Sequence, residues 1–280
     1  MGSLSEVNSG SRIGTALLAA GVAIYLGALV MLLVTGNTEV RFSADDAKTQ
    51  SIWLLGLPAV AGLALAWLVP PREPAPDPFA AVDTRIRVRQ SWTLAALAVA
   101  FATGLHLAGG DNLWFLGLKA VLLLLLPVAL RVVTWREWAR ADLSGRWIRP
   151  LPAVAAFVLI TYALDPAAPD PIPDPVTIAA VFVLNAVLEE VFYRFWLQTR
   201  LESLYGRWAA ILVTSVVFAA WHAAIQGGNG PVVDLAAAVA VIGVKSLFLG
   251  YLWSRHRNPW LVIAVHGFIN APLAMWLAMF

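Results

Sequence analysis

The sequence predicts an all-α fold, a polytopic membrane bundle of about nine transmembrane helices. Three observations lead there. The chain has 280 residues, of which 60% are hydrophobic. Only 13% are charged, against about a quarter in soluble domains. Long runs carry no charge at all, and only helices of that length satisfy every backbone polar group inside a bilayer.

Taken in order, the apolar runs place spanning helices at 13–35, 51–69, 91–108, 113–133, 148–164, 176–198, 207–225, 232–254 and 259–280. Each is about long enough for a ~30 Å hydrocarbon core. The fifth is cleanly apolar only from Leu151 to Leu164. The loops between them alternate in charge. One set, which includes Arg12, Arg72, Arg85, Arg140, Arg200 and Arg255, holds 14 basic residues, and the other holds two, Arg41 and Lys48. Basic loops stay on the cytoplasmic side. The expectation is a multi-pass protein of the cell membrane with a cytoplasmic N-terminus and an extracytoplasmic C-terminus.

The chain divides into a tail at 1–12, five helices over 13–164, a Pro- and Asp-rich extracytoplasmic linker at 165–175, and a four-helix core at 176–280. Pro70–Pro78 reads as a second extended connection. With no cysteine, a disulfide framework, a thiol nucleophile and a Cys-ligated metal are excluded. Neither a cleavable signal peptide nor a myristoylation signal is expected at the start. No internal repeat is visible, which weighs against a transporter built from inverted repeats.

The first four helices and the fifth are nearly free of charge. The sixth is not. It carries Glu189, Glu190 and Arg194 where a charge costs several kcal/mol unless paired or hydrated. Glu190 and Arg194 are i,i+4, in the favourable acid-before-base order. Glu189 points about 100° away from Glu190, beside Asn185 and Tyr193 on neighbouring turns, and needs a partner from elsewhere in the fold. Two other cations lie inside helices. Lys119 is read as snorkelling to the outer interface, and Lys245 as pairing with a carboxylate or lining a wet cavity. Asn185 and Lys245 are the candidates for supporting roles. Ser246 and Gly250 are read as close-packing positions, Trp221 as a possible wall of a pocket, and His106 and His256 as packed histidines.

The seventh helix holds Phe218-Ala-Ala-Trp-His222, and the ninth His266-Gly-Phe-Ile-Asn270. His266 and Asn270 share a face. Glu189, His222 and the His266/Asn270 pair could form a general base, its partner and an oxyanion-stabilising pair, the three roles a hydrolysis needs. Counting 1.5 Å per residue puts Glu189 and His266 roughly 10 Å from the cytoplasmic edge but His222 roughly 21 Å from it, a mismatch that calls for a tilted or displaced seventh helix.

These motifs resemble the CPBP family, the CAAX prenyl protease and bacteriocin-processing intramembrane endopeptidases. Its pattern is Glu-Glu-x-x-x-Arg, Phe-x-x-x-His and His-x-x-x-Asn/Asp on successive helices. Here these are Glu189-Glu190-x-x-x-Arg194, Phe218-x-x-x-His222 and His266-x-x-x-Asn270. Gly250-Tyr-Leu-Trp-Ser-Arg-His-Arg-Asn-Pro-Trp260 looks like the family's connection into its last motif. The resemblance covers about residues 176–275. One departure is Phe195, where the family usually has a small residue after the arginine.

The resemblance implies that Glu189 activates water with help from His222. His266 and Asn270 would stabilise the oxyanion, and Glu190 and Arg194 would form the supporting ion pair. The implied partners are a membrane-embedded or lipid-anchored protein or peptide substrate and the bilayer itself, with no nucleic acid. No cofactor is expected. The alternative is zinc held by Glu189, His222 and His266, since a carboxylate and two imidazoles make a catalytic zinc set. A zinc-bound Glu189 would leave no unpaired carboxylate as base. The competing functions are a transporter with a buried carboxylate relay, and a non-catalytic immunity or scaffold protein.

Overall fold

The computed structural model describes residues 4–41, 48–73, 77–134, 137, 147–226 and 228–280. Each predicted span is a helix: α1 Leu4–Val34, α2 Ile52–Leu68, α3 Thr84–Leu107, α4 Asn112–Ala129, α5 Leu151–Leu164, α6 Pro175–Tyr205, α7 Arg207–Gln226, α8 Pro231–His256 and α9 Pro259–Asn270, followed by a short α10, Leu273–Ala278. Five of them, α1, α4, α6, α7 and α8, are long and apolar enough to cross a membrane. The strands described, Glu39–Val40 and Gln50–Ser51, form one antiparallel ribbon between α1 and α2. This is an all-α polytopic membrane protein.

Four boundaries differ most from the sequence reading. α1 starts at Leu4 rather than 13, and α6 runs on to Tyr205. α3 starts at Thr84 rather than 91, because the Asp83 carboxylate caps it by accepting the Arg85 and Ile86 amides. The ninth helix does not run to 280. It stops at Asn270, where Ala271 is extended (φ −132°, ψ 84°) ahead of Pro272. Proline disfavours helical geometry in the residue before it. At 12 residues, α9 is roughly 18 Å long and falls short of the hydrocarbon thickness.

α7 is the centre of the bundle, in contact with α1, α3, α6 and α8. Close approach needs small residues. A Cβ on Gly62 would lie 2.7 Å from the Phe248 ring, and one on Gly14 would lie 2.5 Å from the Tyr205 carbonyl oxygen. The exterior is apolar: Leu26 and Val30 on α1, Trp53 and Trp67 on α2, and Leu113 and Trp114 on α4 are all exposed. The buried polar residues, by contrast, concentrate on α6 and the helices around it.

The basic loops meet at one end of the bundle. Arg149 donates to the Pro70 carbonyl (2.7 Å), Arg87 to the Ser203 carbonyl (3.3 Å), and Arg257 pairs with Glu202 (3.1 Å). Arg200 is fully buried there. It donates to Glu137 (2.7 Å), to the Val132 and Trp196 carbonyls (both 3.1 Å) and to Gln90 (3.2 Å), and lies over the Phe79 ring. The opposite end joins the weakly basic loops: Gln50 donates to Asp165, and Gly110 abuts the Ala224 carbonyl. Arg136, Arg140 and Arg146 lie outside the described residues. Also at that second end, Asp174 starts α6. The Thr177 hydroxyl and amide, with the Val176 amide, hold its carboxyl below the usual carboxylate range. The cap therefore persists in mild acid and is lost only as pH falls through that lowered value.

Arg200→Met should destabilise the protein by about 3–5 kcal/mol, because it strands Glu137 inside the fold. Thermal unfolding in detergent measures this, and Arg200→Met with Glu137→Gln should recover part of the loss.

Candidate active site

α6 is not a uniform α-helix. π-helical turns run from Phe182 to Val187 and from Val191 to Gln198, on either side of Leu188–Glu190. Such turns recur at functional sites. Between them, Glu189 and Glu190 are 1% and 2% exposed.

Each carboxylate has its own partners. Glu190 Oε2 faces Arg194 Nε at 3.3 Å, one turn on, and its Oε1 meets His266 Nδ1 at 2.7 Å. Arg194 also donates to Ser246 Oγ (3.0 Å) and lies over the Phe218 ring at 4.9 Å. Glu189 Oε1 accepts a hydrogen bond from the Lys119 ammonium on α4, which also donates to Asn185 Oδ1 (2.6 Å). Glu189 Oε2 faces His266 Nε2 at 3.8 Å.

Lys119 corrects the sequence reading. It does not snorkel: it is 1% exposed and is the counter-charge of Glu189. Three cations lie inside predicted helices, and Arg194 belongs to Glu190. Lys119 and Lys245 were therefore the available partners, and the signal was present in that count. Ser246 is a second refinement, since it accepts from Arg194 as well as packing closely. At Gly250 the approach is tight: a Cβ would meet Gln198 Oε1 at 2.9 Å. Phe195 fills the space behind the site edge-on to Trp253, with centroids 5.7 Å apart. His106 is exposed, and among the described residues His256 Nε2 has no hydrogen-bond partner.

One cavity of about 760 Å³ gathers the rest. Asn185 and Glu189 reach it from α6, Phe218, Trp221 and His222 from α7, Lys245 and Ser246 from α8, and His266 and Asn270 from α9. Gly109–Asn112, Ala224 and Ile225 also line it, so it extends to the weakly basic end. The depth mismatch is thereby resolved. His222 and His266 each lie four residues from the C-terminal end of a helix that finishes toward that end, and α9 is short. Glu190 and Arg194 stand behind the cavity wall. A second, apolar cavity of about 310 Å³ lies between α4 and α6, lined by residues such as Leu124, Val183 and Val191. Apart from Thr134 its lining is apolar.

Proton positions follow from the partners. His222 Nδ1 lies 3.0 Å from the Phe218 carbonyl, which can only accept, so Nδ1 carries the proton. The neutral ring then has a lone pair on Nε2. Its face stacks on Trp221 (3.6 Å, 27°). His266 Nδ1–H donates to Glu190 Oε1. Asn270 Nδ2 is buried and has no partner among the described residues, so it is a donor waiting for an acceptor.

The zinc alternative does not fit these residues. No group of three or more His, Asp or Glu among the described residues is arranged to hold a metal. The charge facing Glu189 is an ammonium, where a metal ion would be repelled.

Removing either partner of the Glu190–Arg194 pair should cost about 3–5 kcal/mol. Glu190→Gln and Arg194→Met together should cost less than the sum. Thermal unfolding of the two single variants and the double variant measures the coupling, and strict additivity would contradict the pair.

Comparison with known proteins agrees with the resemblance. Residues 171–272 match the family described as type II CAAX prenyl endopeptidase Rce1-like. All three motifs lie inside that stretch, while Lys119 lies outside it. No curated protein and no solved structure matched the chain. Residues 171–272 of this multi-pass membrane protein are thus similar to the Rce1-like type II CAAX prenyl endopeptidases, a protease family.

Proposed function

We propose that this protein is an intramembrane endopeptidase that hydrolyses a peptide bond in a membrane-embedded or lipid-anchored substrate, using water activated by Glu189 and no metal. The observation that carries the reading is the cavity where a carboxylate oxygen, an imidazole lone pair and an amide donor unpartnered among the described residues converge. The family match adds the reaction class.

In this reading the substrate carbonyl sits in the cavity with a water beside Glu189 Oε2 and His222 Nε2. Glu189 takes one proton from the water as its oxygen attacks the carbonyl carbon. The carbonyl electron pair moves onto oxygen, where Asn270 Nδ2–H stabilises it. His266 can add a second bond from Nε2–H. With Nδ1–H already given to Glu190, that requires the imidazolium, whose charge both glutamates face. Collapse of the intermediate breaks the C–N bond, and Glu189 passes its proton to the departing amine. Asn185 and Lys245 are supporting groups. Arg194 holds Glu190, and Glu190 holds the His266 ring.

For orientation, the basic end is assigned to the cytoplasm by the positive-inside rule, in the cell membrane. The N-terminus is then cytoplasmic, the C-terminus extracytoplasmic, and the cavity opens outward.

Glu189→Gln should lower peptidase turnover by about 100- to 10,000-fold, the contribution typical of a general base, without loss of insertion or folding. The assay is cleavage of a quenched fluorescent peptide with a prenylated cysteine near its C-terminus, by protein reconstituted in lipid vesicles. Stripping the wild type with a strong chelator should leave its rate unchanged. Zinc-dependent recovery after stripping would overturn the metal-free mechanism.

Asp170→Cys, in a chain with no other cysteine, should react with a membrane-impermeant maleimide added outside intact cells. Arg85→Cys should react only after the cells are opened. The reverse pattern would invert the orientation.

A further inference from the structure

We infer that Lys119 is a positioning residue for the reaction and that α4, outside the family-matched stretch, completes the active site. This rests on the proteolytic reading of Glu189.

A carboxylate buried without a counter-charge takes up a proton, and a protonated carboxyl is no base. Of the two glutamates, Glu190 has Arg194 and His266. Glu189 has Lys119, 70 positions earlier in the chain. The geometry divides the Glu189 carboxylate. Oε1 is tied to the ammonium, and Oε2 is left for the cavity and His266 Nε2. The ammonium also holds Asn185 Oδ1, one turn before Glu189, so two positions on α6 are fixed by one cation. Its remaining surroundings are aromatic: the Phe115 ring at 4.2 Å and the Trp221 ring at 5.3 Å. Trp221 stacks on His222. Lys119 therefore touches the base on one side and the wall behind its histidine partner on the other. Burying a lysine here is costly, and a site that needed only packing would be served as well by methionine.

The absence of native cysteine allows a direct test. In a Lys119→Cys protein, 2-bromoethylamine alkylates the one thiol and rebuilds an ammonium at lysine's length. 2-Bromoethanol builds a neutral hydroxyl of the same length. Intact mass establishes that each modification is complete. Cleavage of the prenylated fluorescent peptide is then measured.

Lys119→Cys should lower kcat by about 100-fold or more, with KM within about threefold, the pattern of a group that acts in the transition state. The aminoethyl adduct should recover most of kcat, and the hydroxyethyl adduct should not. Recovery by both adducts would reduce Lys119 to packing and overturn the proposal, as would full kcat in unmodified Lys119→Cys. A wild type that cleaves no such peptide would count against the proteolytic reading instead. The pairing has its own readout in thermal unfolding of Lys119→Met, Glu189→Gln and the double variant. A double variant no less stable than the worse single one supports the pair, and additive losses overturn it.

Discussion

Two carboxylates stand side by side on α6, in the part of the chain where water is least available to solvate them. Keeping both charged requires two separate cation systems, and their placement shapes the bundle. Arg194 comes from the same helix and serves Glu190. The second cation has to arrive from another helix and another direction, because the two side chains diverge by about 100° around the axis. α4 supplies it. The close contact between α4 and α6 is thus an electrostatic requirement as well as an apolar one, and the cavity opens where Glu189 still has a free oxygen.

The same division explains why some polar residues line the cavity and others lie behind it. His266 has Glu190 on its Nδ1 and Glu189 near its Nε2. One nitrogen is thereby tied into the structural pair and the other is left facing the cavity. Glu190 and Arg194 have no atoms at the cavity wall, yet through His266 they set the angle at which a ring enters it. The alternation of loop charges has a parallel role at larger scale. It gathers the basic loops at one end, where Arg200, Glu137 and Glu202 knit α6 to the loops, and it leaves the other end to the cavity mouth.

Much of this was legible before the structure. Long uncharged runs can only be helices in a bilayer, so the helix positions followed from composition. Helical spacing gave Glu189 and Glu190 different partners and predicted the Glu190–Arg194 pair, because i,i+4 contacts are local. Contacts between distant segments were less accessible. Lys119 looked like an interfacial lysine because nothing in its own helix distinguishes a buried ammonium from a snorkelling one. The His266–Glu190 bond spans 76 positions and has no local signature either. The end of α9 could have been read from Pro272, but the apolar residues beyond it continued the pattern and outweighed one proline. The depth count erred for Glu189 rather than His222: α6 runs on to Tyr205, past the end at 198 that the sequence reading gave it, so Glu189 lies farther from the basic end than counted and level with His222.

The two π-helical turns of α6 have a consequence for how this protein and its relatives can vary. Each holds a residue more than an α-helical turn would need, and each is a place where one residue can be lost without breaking the helix. Loss of one residue among 195–198 would leave every letter of Glu-Glu-x-x-x-Arg in place. The turn would relax to α-helical geometry and absorb the missing residue, so Glu189 would keep its direction toward α4 and Arg200 its place among the basic loops. The same loss within a regular α-helical stretch would instead turn everything on one side of it by about 100°. In this architecture the distance in sequence from motif to Arg200 can change by one residue while the distance in space does not.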